Sequence, residues 1–328
     1  MAQITNSVLE QFDGKRVLVV GDCGLDKYIH GTCARLCPEA PVPVFNPERI
    51  ELRAGLAGNV ATNLTALGAK VKLCSIIGDD QYGVDLQDVL DRAGAINVEK
   101  YLGKDSTRPT TVKSRYVSDW HLMLRVDEEI TRDFDDILMK PFIQGVIEEV
   151  PWADIIVVQD YGKGLISELL MEPLINAAIE HHKIIVVDPS SKQDPTIYSG
   201  VDYLKPNEKE LGGMMEELGV HQIDVVDRLG LQGLLVTQNS RGMYLLDQGE
   251  DVILIPALKQ EVHDVCGAGD TVTAVFALSL ACGLAFRESA ELANMAASIV
   301  VGKFGTATLT KEELQGVIDG RVREQAKR

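Results

Sequence analysis

Asp154-Ile155-Ile156-Val157-Val158-Gln159-Asp160-Tyr161-Gly162-Lys163-Gly164 places four apolar, β-prone residues in a row before a polar, glycine-flanked turn. A strand with one face in water alternates apolar and polar residues, whereas a strand covered by helices on both faces is apolar throughout. Ile155–Val158 is of the second kind, and Ile184–Val187 repeats it. Between them, Ser167–His181 has apolar residues at helical spacing, with Ser167 placed as N-cap. The pattern predicts layered α/β structure around a mostly parallel sheet.

The alternation extends in both directions. Strands are expected at Arg16–Val20, Val71–Ile77 and Gly233–Thr237, and helices at Asn59–Leu67 and Val84–Ala93, the latter two stopped by Gly68 and Gly94. From Gly269 onward the chain reads as helical: Thr271–Cys282, Ser289–Val301 and Lys311–Arg323. Two regions interrupt the rhythm. Tyr28–Leu52 carries Pro38, Pro41, Pro43 and Pro47, which exclude a long helix, and Lys100–Val126 holds the β-rich runs Thr110–Val117 and Leu122–Val126. These predict a small separate sheet standing off the main body.

Of the 328 residues 45% are hydrophobic and 25% charged, the composition of a folded globule with a sizeable core. Lys and Arg number 32 against 49 Asp and Glu, a formal charge of −17 that argues against nucleic acid or an anionic membrane as partner. It leaves a phosphorylated small molecule open, because a few local cations or backbone amides outweigh a global sign. The first sixteen residues show no secretory signal, and the uncharged stretch Thr271–Phe286 is too short to cross a bilayer comfortably and reads as a buried helix. The six cysteines form no disulfide framework or zinc pattern and are expected as free thiols in a reducing cytoplasm.

The chemistry concentrates in His263-Asp264-Val265-Cys266-Gly267-Ala268-Gly269-Asp270-Thr271. Gly267, Ala268 and Gly269 allow a tight turn with accessible amides, and a helix starting at Thr271 adds its positive end, so the turn suits a phosphoryl group in transfer. Asp270 is anomalous beside an anion. It either takes a proton from an attacking hydroxyl or caps the helix.

Four further segments bear on that choice. Lys205-Pro206-Asn207-Glu208-Lys209-Glu210 puts Asn207 and Glu210 on one face of a first helical turn, where they can hold hydrated Mg²⁺ against nucleotide phosphates or form a capping box. Gly21-Asp22-Cys23-Gly24-Leu25-Asp26 sets Asp22 and Asp26 at the C-terminal edge of the first strand, where open α/β sheets bind ligands, suited to sugar hydroxyls or forming an ordinary acidic turn. Arg53-Ala54-Gly55-Leu56-Ala57-Gly58-Asn59 leads into a helix with Asn59 as cap or ligand contact, and Lys163 is a cation on a glycine-flanked loop, useful against phosphate or merely solvated. No P-loop, G-x-G-x-x-G fingerprint, H-R-D loop or H-E-x-x-H occurs.

The combination resembles the ribokinase-like (PfkB) family of sugar kinases over nearly the whole chain. The matching signatures are Gly55–Asn59, the N-x-x-E at Asn207–Glu210, and D-x-x-G-A-G-D at Asp264–Asp270. Within the family the likeness is nearer to the kinases that phosphorylate D-glycero-D-manno-heptose 7-phosphate at C1, an early step towards the ADP-heptose of lipopolysaccharide core. It is carried there by Gly21–Asp26, Arg35–Val44, Thr111–Arg115, Leu124–Asp127 and Asp160–Gly164. The resemblance implies one domain over residues 1–328, a three-layer α/β/α sandwich with a mainly parallel sheet and a β lid from about 28–52 and 100–126. It implies ATP and Mg²⁺, with a monovalent cation admitted, and lids that clasp each other in a homodimer. Asn207, Glu208, Lys209, Glu210, Thr237, Gly242 and Asn294 would serve nucleotide and metal. Asp22, Asp26, Gly55 and Asn59 would hold the sugar, with Lys163, Arg35 and Arg125 near its phosphate. Asp270 would be the base and Gly267, Ala268 and Gly269 the anion hole.

The chain departs from the heptose-kinase pattern at Leu56, where a glycine normally faces the sugar, and at Cys266, where Thr or Ser is usual. Its end at Arg328 leaves out a nucleotidyltransferase domain, so a separate enzyme is expected for the following step. Competing expectations are a kinase of an unphosphorylated sugar or nucleoside, favoured by Leu56, and a silent sugar or nucleotide binder, which would show a degraded G-A-G-D or N-x-x-E.

Overall fold

The computed structural model describes residues 7–94, 102–248 and 252–325. Its strands are β1 (Arg16–Gly21), β2 (Cys23–Leu36), β3 (Pro43–Leu56), β4 (Lys70–Gly78), β5 (Leu102–Asp105), β6 (Thr111–Ser118), β7 (His121–Glu128), β8 (Ile155–Gln159), β9 (Ile184–Asp188), β10 (Tyr203–Leu204), β11 (Gly233–Thr237), β12 (Gly242–Asp247) and β13 (Ile253–Pro256). Nine form one sheet in the order β13-β12-β11-β10-β9-β8-β1-β4-β5, and four form a second in the order β3-β2-β6-β7. The large sheet is parallel from β11 through β5, and β12 and β13 add antiparallel at the other edge.

The helices are α1 (Ser7–Glu10), α2 (Ala57–Ala66), α3 (Gln81–Arg92), α4 (Asp136–Glu149), α5 (Glu168–Glu180), α6 (Glu208–Leu218), α7 (Asp224–Leu229), α8 (Ala268–Ala281), α9 (Phe286–Val300) and α10 (Lys311–Gln325). The apolar runs explain the layering. Val17, Val19, Ile155 and Val157 point into a core filled by α2, α8 and α9. Leu18, Val20, Ile156 and Val158 point the other way, into a core shared with α4, α5, α6 and α7. Each such side chain is fully buried and contributes about 1.5–3 kcal/mol over its exposed state, which is why neither face of these strands carries polar residues. The expected buried helix is α8, in which every residue from Asp270 to Leu280 is buried.

Four expectations need correction. Helix α8 begins at Ala268, not Thr271, because the left-handed Gly267 (φ 76°) ends the turn and Ala268 already has helical geometry. Ser167 stands at the N-cap of α5 but its side chain makes no capping bond. The small sheet is longer than the proline-rich window: β2 and β3 pair from Cys23–Leu56 out to Leu36–Pro43, with register shifts where Gly31 meets Pro47 and beyond Thr32. Prolines are tolerated because β3 is an edge strand. Finally, Leu102–Asp105 of the second expected lid window joins the large sheet beside β4, and residues 100 and 101 lie outside the described residues. Among the described residues, no helix is long and apolar enough to cross a membrane.

Candidate active site

The C-terminal ends of β1, β8 and β9 converge under the first turn of α8, and the small sheet leans over them from β2. Asp270 is the third residue of α8 and is 5% exposed. Gly267, not Asp270, holds the cap position, so the capping alternative falls. The Asp270 carboxylate instead reaches across the fold. Oδ2 accepts from Asn59 Nδ2 at 2.8 Å, and Oδ1 accepts from the Tyr161 hydroxyl and, at 3.5 Å, from Gln159 Nε2. Burial pushes its pKa up to about 7; Tyr161 and Asn59 pull it down, Asp188 raises it and Lys205 lowers it. A carboxyl so poised is both available as a base and matched to neutral pH.

The turn in front of Asp270 is shaped for an anion. The Gly267, Gly269 and Asp270 N–H groups have no partner among the described residues, while that of Ala268 turns back to the Val265 carbonyl at 3.3 Å. The donor set is therefore shifted by one residue from the Gly267–Gly269 expectation. A Cβ on Gly267 would lie 2.6 Å from Asn59 Nδ2, so glycine is required there by both φ and space. Lys205, 3% exposed, completes the turn from below: a Cβ on Gly269 would sit 3.8 Å from its Nζ. That ammonium is held by Asp188 at 2.9 Å, and Asp188 also accepts from Gln159 and Thr273.

Where the nucleotide is expected, Asn207 and Glu210 form the capping box of α6: Asn207 Oδ1 takes the Lys209 and Glu210 amides, and Glu210 Oε2 takes the Asn207 amide. Thr237 lies against them, its N–H donating to Pro206 at 3.0 Å. Glu208 is exposed and paired with Arg241, and Lys209 is exposed. Gly242 is demanded by the backbone, since at φ 100° a Cβ would meet the Ile255 carbonyl at 2.2 Å. Asn294 donates to the Pro256 carbonyl at 2.9 Å, tying α9 to β13. Mg²⁺ is compatible with this donor set: Glu210 keeps Oε1 free of the box, and such ions take one or two carboxylates, waters and phosphate oxygens. Among the described residues no cluster of three or more His, Cys, Asp or Glu forms a closed metal cage.

The residues expected to hold the sugar are largely engaged with one another and with backbone. Asp26 is buried and ion-paired with Arg115 at 2.5 Å, and the backbone of Gly55 passes directly over its carboxylate. Asp22 lines a small cavity with Arg108, Thr111 and Lys163, and one of its carboxylate oxygens is engaged by backbone. Its Oδ2 takes the Tyr161 and Lys163 amides at 2.9 and 3.1 Å, making it the clamp of the turn after β8. Lys163 is buried rather than solvated and reaches Glu129 at 2.6 Å, where Lys113 joins it at 3.1 Å. Arg125 is half exposed, bound to Asp127 at 2.9 Å, and registers opposite Arg115. Arg35 is exposed, nine residues beyond Asp26 on β2, about 30 Å along the strand, so this chain does not bring it to the site. Tyr161, Lys205, Lys113 and Arg115 contact or adjoin the expected site residues, and motif reading did not single them out. For the last two a signal existed, since i and i+2 on a strand share a face.

A buried carboxylate beside free helix-terminal amides, at the mouth of a parallel sheet roofed by a small β sheet, defines a phosphotransferase of the ribokinase-like fold. A ribokinase from Arabidopsis thaliana, solved with ribose and ATP, superposes with a TM-score of 0.71 at 21% identity, covering 93% of this chain and 99% of that one. A structure described as a putative ribokinase from Agrobacterium tumefaciens superposes with a TM-score of 0.76 at 18% identity, covering 94% and 99%. The model of the pfkB family carbohydrate kinases matches residues 15–313, and the chain belongs to that family. It is a sugar kinase. A relative named bifunctional protein HldE from Caulobacter sp. (strain K31) is 39% identical over 317 residues, which are 94% of this chain and 64% of that protein. The chain thus spans about two thirds of the length of the curated relatives it matches.

Proposed function

We propose that the protein transfers the γ-phosphoryl group of ATP to C1 of D-glycero-β-D-manno-heptose 7-phosphate. The observation that carries the transfer chemistry is the Asp270 carboxylate, buried, aimed by Asn59 and Tyr161, and set beside the free amides of Gly267, Gly269 and Asp270. Asp270 takes the proton of the attacking hydroxyl, whose oxygen bonds to the γ-phosphorus as the bond to the β,γ-bridging oxygen breaks and ADP leaves. The amides and the Lys205 ammonium receive the charge spreading over the moving phosphoryl oxygens. Mg²⁺, when bound, would neutralise nucleotide phosphate charge; Glu210 and, through water, Asn207 are the residues to hold it. Thr237 and Asn294 border the nucleotide from the β11–β13 edge.

The heptose 7-phosphate assignment rests on the motif resemblance and is supported by the likeness to the HldE relative. Lys113 and Arg115 share one face of β6, Lys113 paired with Asp127 and Glu129 and Arg115 with Asp26, and Lys163 meets Lys113 on Glu129. These cations suit a substrate that already carries a phosphate. A second reading, an unphosphorylated sugar, is favoured by the departure at Leu56, which is 7% exposed and held at φ 58° where the turn enters α2. The test is ADP release with ATP, Mg²⁺ and a panel of heptose 7-phosphate, fructose and adenosine. Turnover with the heptose phosphate at least ten times that with the others is expected. Faster turnover of fructose or adenosine would reassign the substrate, and tight binding without ADP release would make the protein a binder.

A further inference from the structure

Asp160 and Tyr161 continue β8 past Gln159, its last paired residue, and alternation divides the three between two faces. Gln159 and Tyr161 point toward α8, whereas Asp160 points away, accepting from the Tyr198 hydroxyl at 2.7 Å and the Gly162 amide at 2.7 Å. Tyr161 therefore delivers its hydroxyl to Asp270 from a turn that is itself pinned: Asp22, from the neighbouring strand, holds the backbone amides on either side of Gly162. A buried tyrosine hydroxyl needs a hydrogen-bond partner, and packing alone would be met by any carbonyl nearby. Here the partner is the one carboxylate placed for proton transfer.

We propose that Tyr161 is a positioning residue for Asp270: its hydroxyl, presented by the Asp22-clamped turn, donates to Oδ1 and so leaves Oδ2 as the oxygen that takes the acceptor's proton. The assignment rests on the reading of Asp270 as the base. Its geometry is asymmetric in the required way. Oδ1 faces two donors, Tyr161 and Gln159, while Oδ2 faces only Asn59 and keeps a lone-pair direction free. The ionised carboxylate is favoured by each donor, so the tyrosine both orients Asp270 and opposes the effect of burial on it.

The charged and titratable groups facing Asp270 are Asp188 from β9, which raises its pKa, Lys205 from the segment after β10, which lowers it, and Tyr161 itself. The small sheet carries the ion pair of Asp26 with Arg115, and on the turn before α8 lie Asp264 and Cys266. Asp160 is also pushed up to about 7, by burial and then by Asp22, so its titration must be separated from that of Asp270.

The test compares Tyr161→Phe with the parent and with Asp270→Asn. Phenylalanine keeps the ring and its packing and removes only the donor. The acid limb of kcat should move to higher pH by about one unit or more, the size of one hydrogen bond to a charged group, with turnover at pH 7 down roughly tenfold and largely restored at pH 9. KM for ATP and for the sugar should change less than about threefold. Titration of ¹³C-labelled aspartate carboxyls, with the Asp270 signal identified by its loss in Asp270→Asn, should show the same upward shift without recourse to activity. Superimposable pH profiles and unshifted carboxyl titration would overturn the role of Tyr161 while Asp270→Asn stays inactive. Retained turnover in Asp270→Asn would overturn the base and its positioning residue together.

Discussion

Asn59, at the start of α2, donates to Asp270 Oδ2 at 2.8 Å across 211 residues of sequence. The bond joins the turn before α2 to the turn before α8, so the proposed base is aimed only when both are folded. Asn59→Ala should lower kcat by about tenfold, in line with loss of one hydrogen bond to a charged group, with stability falling by about 1–3 kcal/mol. Steady-state kinetics beside thermal melting measure both, and unchanged kcat would detach Asn59 from the base.

The pKa of Asp270 is about 7 in the folded chain because burial outweighs the donors around it. A protonated Asp270 cannot accept the hydroxyl's proton, so kcat/KM should rise with pH through about 7 and level above it. Stability has the opposite sign. A carboxyl whose folded pKa is raised supports folding fully below the unfolded value near 4 and loses that support as pH rises through 7. Asp270→Asn should therefore gain melting temperature relative to the parent more at pH 8 than at pH 5. An equal difference at both values would mean that Asp270 is not raised.

Lys163 is buried against Glu129, which Lys113 shares. Lys163→Met should raise KM for a phosphorylated sugar by about ten- to a hundredfold and leave an unphosphorylated sugar within about threefold, since only the former loses a charge-assisted contact. A titration of initial rates with each sugar distinguishes the cases, and equal effects on both would place the sugar's phosphate elsewhere.

Leu56 occupies a left-handed backbone position that costs a non-glycine residue about 1–3 kcal/mol, while burying its side chain contributes about 1.5–3 kcal/mol. The two effects nearly cancel, so Leu56→Gly should change stability by less than about 1.5 kcal/mol in chemical denaturation. Its effect should appear in KM for the sugar. A large stability loss with unaltered KM would make Leu56 a packing residue only.

The apolar runs at Arg16–Val20, Ile155–Val158 and Ile184–Val187 were legible because a doubly covered strand has no polar positions to blur the pattern. The small sheet was legible only as an interruption. Its strands β2 and β3 run through prolines, glycines and charges, and their pairing is decided by each other and by β6 rather than by local propensity. The start of α8 was displaced by three residues because Gly267-Ala268-Gly269 reads as turn, though only Gly267 leaves helical geometry. The D-x-x-G-A-G-D and N-x-x-E segments were legible as motifs, but motif reading does not see who touches whom. Asp22 clamps the turn after β8, Arg35 lies far along the small sheet, and Tyr161 meets Asp270 from 109 residues away. Those pairings exist only once β1, β8 and α8 are packed together.

The base assignment is tested most directly by single-turnover phosphoryl transfer in Asp270→Asn, with ATP, Mg²⁺ and heptose 7-phosphate all saturating. A rate lower by about 10²–10⁴-fold, with both substrates still bound, is the expected result. A rate within threefold of the parent, in a variant that melts as a folded protein, would contradict it.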